Sequence, residues 1–546
     1  MAKIIKQNKE LRGTASSPYQ TALLDIDLYL RKYTWAIIPI LALVYFLFSR
    51  VSTGFYQDDE LGHFINMKDF WFDPGQIISN WAKPGWKIVL VLPSLLGYDF
   101  VLFFNSLISA VTVFVTIKLA FKLNLKNASV IAAFLGLQPV FFQLAFRSYA
   151  EIYTGLIFIL ICYTFYSERY SISMLLFGYL FLLRQETAPI ALMVGIYLIV
   201  KKKKFLPILF FLIFPLILQI AGMIKNNGDM MWMVKDIGNL QAMDFNKGTD
   251  RGFFFYFTNY IFIIGPVTIA FFLLGYFSFL YKDTTKSHYF EKHAILYITF
   301  TAYFIIQCGL VMQGTNAGLL RYLLPVSPMA AIFACIGLNN ILNPKDRNLH
   351  LTILLIISVL SLLLMSKDTN NWVMTDQSEF LKFGILALLT LVYVFNIYMN
   401  KKGGSNVLLI IFIFALSILY IYQKVEPLKE SVENAKVKEI SEWYNHSEYK
   451  DKDLLYSHSN LTFFDYLAGF YKKNRKNMTM QTLKNAPVGT ICIWDSHYSY
   501  NPKYEARNTQ IDYFKNNANF KLVKEFYSPD RKTFYAAVFE KIANNP

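Results

Sequence analysis

Charge is scarce in this chain. Only 16% of its 546 residues are Asp, Glu, Lys or Arg, against roughly 25% in an ordinary soluble domain. The deficit is uneven. From residue 33 to 422 the charges sit in short clusters between long apolar runs, and beyond 423 the composition turns ordinary and polar. A single soluble globule is therefore excluded. Cysteine is scarce too: Cys162, Cys308, Cys335 and Cys492 include no CxxC pair, which suggests no disulfide framework and no zinc site. Internal repeats and low-complexity linkers are missing, so solenoid and linker-joined architectures are set aside.

What is abundant is hydrophobicity: 55% of the residues are hydrophobic and 17% aromatic. Apolar runs at 35–51, 101–121, 155–166, 205–223, 253–281, 294–312, 322–342, 351–365, 383–399 and 407–422 reach or approach the roughly 20 residues that span a bilayer. Two more, 129–146 and 173–200, are interrupted, and the second is long enough for two spans broken at Arg184-Gln185-Glu186. The expectation is a polytopic α-helical membrane protein with about thirteen transmembrane helices. The first run has too long a charged leader, and no small-residue site after it, for a signal peptide, so it reads as a retained span.

The net charge of +16 would suit nucleic acid, but the lysines lie at the ends of apolar runs, which excludes that partner. Lys3, Lys6, Lys9, Arg12, Arg31 and Lys32 precede the first span. Lys118, Lys122 and Lys126, then 201–204, then Lys282, Lys286 and Lys292, then Lys345 and Arg347, then Lys401 and Lys402 follow later ones. With alternating spans all these clusters fall on one side, as the positive-inside rule requires. The N-terminus is expected inside and the C-terminus outside. The domains read as a cytoplasmic N-terminus at 1–32, a transmembrane domain at 33–423 with a large outward loop at 52–86, and a soluble α/β domain at 424–546. In that tail, 427–444 reads as a helix and 454–458 and 490–495 as strands. Residues 520–526 and 533–540 read as a hairpin around Ser528-Pro529-Asp530-Arg531.

Lysine dominates the inward turns, whereas the outward turns mix Asp, Glu, Arg, His, Trp and Gln. Ionisable groups at or within a membrane are costly and mark function, so the chemistry is expected to face outward. The strongest local signal is Tyr56-Gln57-Asp58-Asp59-Glu60-Leu61-Gly62-His63. Three consecutive carboxylates repel one another, which poises one of them as a general base or, with His63, as a ligand for a divalent metal. The alternative is a solvated loop in which Asp58 and Asp59 cap a helix and Glu60 fills its first turn. Asn80-Trp81-Ala82-Lys83-Pro84-Gly85-Trp86 is either an interfacial anchor or a phosphate-binding cation, Lys83, beside a sugar platform of Trp81 and Trp86. Arg321, before Tyr322, stands at the outer end of a span where the positive-inside rule disfavours it, and arginine suits bidentate phosphate contacts; the alternative is snorkelling to lipid headgroups. Arg147, Glu151, Arg184 and Glu186, all at outer span ends, read either as structural ion pairs or as the walls of a polar cavity for a sugar or pyrophosphate-like group. In the tail, Trp494-Asp495-Ser496-His497-Tyr498 is no catalytic triad, because triads are assembled from separated residues; a structural or acceptor-contact role is expected.

Taken together these features resemble the GT-C superfamily of membrane glycosyltransferases, over most of the chain. The resemblance is closest to the branch of protein O-mannosyltransferases and lipid A aminoarabinose transferases. In that branch an Asp-Glu pair opens the first outward loop; Asp59-Glu60 matches it, and Asp59 takes the catalytic position, with Glu60 beside it. A Lys-Pro-Pro-Leu-like segment follows, of which Lys83-Pro84-Gly85-Trp86 keeps only Lys-Pro. A late Arg-Tyr-Leu-Leu-Pro segment recurs here from Arg321 to Pro328. The resemblance implies a polyprenyl-phosphate-linked sugar donor in the bacterial inner membrane and a periplasmic tail. The acceptor stays open among protein, lipid and glycan, and no cofactor beyond a candidate divalent metal is implied. A lipid-linked donor agrees with an outward acidic loop, since sugar nucleotides are cytoplasmic. The implied reaction is one inverting displacement, with Asp59 as base and Lys83 and Arg321 on the lipid phosphate. Glu60 and His63 would orient the acceptor or the metal, with Asp58 and Tyr322 at the substrate. The rival readings are a glycolipid transporter or flippase, a non-catalytic glycolipid-binding scaffold, and an O-antigen-ligase-like enzyme using a pyrophosphate-linked oligosaccharide.

Overall fold

The computed structural model of the chain describes residues 31–79, 81–241, 251–281, 288–342, 347–365, 379–401, 407–470, 475–500 and 509–543. The basic leader before residue 31, Asn80, most of the outward turn expected at 367–379 and part of the loop before residue 252 lie outside the described residues. The chain divides into two compact units. One comprises Met1–Phe48, Ile77–Val89 and Leu102–Glu426; the other comprises Ser49–Gln76, Leu90–Val101 and Pro427–Pro546.

The first unit is helical. By length and composition, five helices among the described residues can cross a membrane: Arg31–Val51, Tyr98–Lys122, Leu206–Lys225, Glu291–Met312 and Leu320–Leu342. A sixth, expected as one run, is broken between Phe255–Ile264 and Pro266–Leu280 by a bend of 119°. Proline at the first position of the second piece starts a helix but cannot continue one. The break anticipated at Arg184–Glu186 is present: helices Tyr170–Leu183 and Ala188–Lys202 are joined by a short 3₁₀ turn, Gln185–Thr187. The apolar stretch at 129–146 is not one helix but short pieces, Ile131–Phe134 and Pro139–Leu144, all buried. Helices Pro266–Tyr276 and Ser327–Leu342 pack through facing glycines. A Cβ on Gly275 would fall 1.8 Å from the Phe333 carbonyl oxygen, and one on Gly337 would fall 2.1 Å from that of Phe271. Small residues let apolar helices approach this closely where no hydrophobic effect drives them together.

The second unit holds a five-stranded sheet: β1 Leu454–Tyr456, β2 Arg475–Asn477, β3 Ile491–Asp495, β4 Phe520–Tyr527 and β5 Tyr535–Lys541, in the order β2-β1-β3-β5-β4. β1 runs parallel to both β2 and β3, with Leu454 opposite Ile491, while β5 is antiparallel to β3 and β4. The hairpin turn is organised by Asp530, whose carboxylate accepts from the backbone of Lys532 and Thr533. Cys492, Trp494, Phe514, Phe520 and Phe539 form the core on one side of the sheet, and burial pushes the Cys492 thiol up to about 12, leaving it an inert packing residue. Helix Val432–His446 is capped by the Ser431 hydroxyl, which accepts from the Asn434 N–H.

Candidate functional site

The first unit gathers most of the outward-end charges into one buried cluster. Arg184 sits at the broken junction of two helices, in extended conformation. Its guanidinium donates to Glu151 at 2.6 Å and to Glu186 at 2.9 Å. Glu151 opens helix Ala150–Tyr166 and also faces Arg321 Nε at 3.9 Å. Gln307 donates to Glu186 at 3.3 Å, and Asn316 donates to Gln307 at 2.7 Å. The Arg321 guanidinium lies 4.1 Å from the centre of the Tyr149 ring, and that of Arg184 lies 5.0 Å from Tyr322. Of the four charges expected to pair with one another, Arg184, Glu151 and Glu186 do so, and Glu151 links them to Arg321.

Lys83 belongs to this cluster. Burial, with help from Arg184 and Arg321, brings its ammonium down to about 8 against the opposing pull of Glu151 and Glu186. Three cations (Lys83, Arg184, Arg321) and two carboxylates (Glu151, Glu186) thus act on one another in this cluster. Buried charges need partners, and guanidinium and ammonium groups held together in this way can also contact an anion. Lys83 also adopts φ 53°, in the left-handed region, which costs a non-glycine residue about 1–3 kcal/mol and is found where structure over-determines function. What holds it is local. The Lys83 N–H bonds the Ser79 carbonyl, Pro84 starts the following helix, and the Gly85 carbonyl accepts the Tyr179 hydroxyl. A Cβ on Gly85 would sit 3.0 Å from the Leu182 backbone carbonyl carbon, so the Lys-Pro-Gly departure is a close-packing requirement.

The two tryptophans of that segment differ. Trp81 is exposed with the Lys87 ammonium 4.7 Å over its ring, whereas Trp86 is fully buried with its ring 6.0 Å from that of Tyr153. Arg147 is buried with its guanidinium over Phe146.

In the second unit the acidic motif starts helix Asp59–Asp69. Glu60 is fully buried and accepts from the Tyr98 hydroxyl at 2.9 Å and the Tyr56 N–H at 3.3 Å. His63 is buried one turn on. Asp59 is part-buried in the first turn. Asp58 stands at the N-cap position but its side chain makes no cap bond. It accepts instead from Asn460 at 3.2 Å and the Tyr498 hydroxyl at 2.9 Å.

No protein-family model and no curated protein matches the chain. Solved structures do. ArnT from Cupriavidus metallidurans bound to undecaprenyl phosphate superposes with a TM-score of 0.55 at 12% identity, over 94% of this chain and 99% of that one. The same protein in the apo state gives 0.53 at 11% identity, over 95% and 100%.

The fold is that of ArnT.

The likeness spans the helical unit, in which five helices among the described residues are long and apolar enough to cross a membrane. Within the ArnT-like helical unit, Tyr149, Gln307 and Asn316 were not singled out from the sequence. Gln307 carries a readable signal, a lone amide between Ile306 and Cys308 in an apolar helix; Tyr149 carries none.

Proposed function

We propose that the chain is an inverting glycosyltransferase that moves a sugar from a polyprenyl-phosphate-linked donor to an acceptor on the extracytoplasmic face of the membrane. The observation that carries this is the buried cluster of Lys83, Arg184 and Arg321 with Glu151 and Glu186, in a fold shared with a protein solved with undecaprenyl phosphate. The finer layout goes with it: about thirteen spans, the N-terminus in the cytoplasm and a periplasmic tail in a bacterial inner membrane.

Asp59 accepts the proton of the acceptor hydroxyl or amine as that atom bonds to the anomeric carbon. The bond from that carbon to the lipid phosphate breaks, and the departing phosphate gains negative charge. Lys83 and Arg321 stabilise that charge, and Arg184 is held to Glu151 and Glu186 as their positioning partner. Because phosphate is already a good leaving group, no second carboxyl group is needed to protonate it, unlike in glycoside hydrolysis. Trp81, the exposed ring, offers the sugar platform. Asp59→Asn is expected to abolish transfer in a detergent-purified assay with an unchanged elution profile and melting temperature; turnover at the wild-type rate sinks the assignment of the base.

A glycolipid transporter is the second reading, favoured by the pair of helices bent by 119°, since broken helices recur in transporters. A transporter needs two compartments. Sugar transfer by protein in detergent micelles, without closed vesicles, is the expected result, and activity confined to vesicles supports the transporter.

A further inference from the structure

The soluble unit carries a cluster that the transferase reading does not use. Glu433, His458 and His497 are brought together from positions 25 and 39 residues apart. Their ligand atoms all lie within 4.8 Å of one another. Glu433 Oε1 is 2.7 Å from His458 Nε2 and 2.6 Å from His497 Nδ1.

The topology explains the convergence. β1 and β3 are parallel neighbours, and β2 lies on the far side of β1. The chain therefore reverses direction of travel across the sheet between β1 and β3. Ligands of open α/β sheets bind at such a switch point, outside the carboxyl ends of the strands. His458 follows β1 and His497 follows β3, both at those ends. Glu433 arrives from the first turn of the helix Val432–His446. The turn bearing His497 is pre-built: Asp495 Oδ1 accepts from the backbone N–H groups of His497 and Tyr498 at 3.0 and 2.6 Å. His458 is buried, with its ring packed 4.7 Å from that of Tyr498. The Asp-Ser-His run is thus a turn held by its own aspartate.

We propose that Glu433, His458 and His497 bind a divalent transition-metal ion of the zinc type at the switch point of the sheet. Two imidazole nitrogens and one carboxylate oxygen are a donor set that zinc favours, with a fourth position left open. Bonds of about 2.0–2.2 Å to a tetrahedral ion need donor atoms about 3.3 Å apart, so the two contacts of Glu433 open by roughly 0.6–0.7 Å while the two imidazole nitrogens, within 4.8 Å of each other, adjust to the same spacing. Each ring's proton moves to its far nitrogen. On His458 that is Nδ1, and the long 3.4 Å contact it accepts from the Asn460 N–H is given up. The ion ties one helix to two strand ends. It also fixes the loops of Asn460 and Tyr498, the residues that hold the Asp58 carboxylate beside Asp59.

The inference does not rest on the transferase reading, and its test does not use activity. Full-length protein purified in detergent is stripped with a chelator, then titrated with Zn²⁺ and separately with Co²⁺, whose absorption spectrum reports its ligands. Expected are about one equivalent bound and a raised melting temperature. His458→Ala and Glu433→Gln are expected to weaken binding at least tenfold, the scale seen when even supporting partners of a metal site are removed. The side chain of His497 is half-exposed, so His497→Ala tests the site without threatening the fold. The same loss of affinity in that variant supports the proposal. Binding of either metal at equal strength by wild type and His497→Ala, or no binding by wild type, overturns it.

Discussion

Lys83 joins backbone strain, a shifted ammonium and a candidate ligand role in one residue. Its protonated form binds phosphate, and in the free protein that form disappears as pH rises through about 8. Affinity for a polyprenyl phosphate is therefore expected to fall above pH 8, by up to about tenfold per pH unit, with the fall moved upward to the extent that bound phosphate holds the proton. Stability moves the other way. The folded value lies below the ordinary 10.5, so the unfolded chain holds more protons between about 8 and 10.5, and this group's contribution to folding becomes more favourable across that window. Titration by tryptophan fluorescence, with Trp81 nearby in sequence, checks the first; Lys83→Met should weaken binding and flatten its pH profile. An unchanged profile in that variant assigns the titration elsewhere. Asp59, Lys83 and Arg321 could be singled out from the sequence because each is a charge beside a long apolar run; their proposed roles are for variants at these positions to test. Glu433, His458 and His497 were not, because only the sheet topology brings them together.

At the scale of elements, packing between helices is set by glycine where the chain is apolar on all sides. Gly337→Val is expected to cost about 1–3 kcal/mol by overpacking, because the added atoms meet the backbone of the neighbouring helix at Phe271; a lowered melting temperature of the detergent-solubilised protein checks it, and an unchanged one means the helices can separate freely. Legibility follows the same physics. The break at Arg184–Glu186 could be read because charges interrupt an apolar run. The bend at Pro266 was passed over, since its flanks are apolar on both sides and length alone suggested one span. In the tail, the alternating β4 and β5 and the apolar β3 were readable. β2, only Arg475-Lys476-Asn477, has no apolar pattern and exists through its pairing with β1.

The molecule as a whole is an apolar helical unit and a small α/β unit in a single chain, with the fold of a protein that has been solved with undecaprenyl phosphate. Composition alone announced the membrane and the soluble tail, because a bilayer and water select such different residues. The acceptor and the sugar were not legible, since the polar side chains that would read them come from many separate turns. In the proposed reaction the buried cations of the helical unit hold a lipid phosphate. The most direct measurement is mass spectrometry of the lipids that copurify with wild-type protein and with Arg321→Gln in the same detergent. A polyprenyl phosphate or its glycoside is expected with the wild type and its depletion from the variant. Bulk phospholipid alone, equal in both preparations, contradicts it.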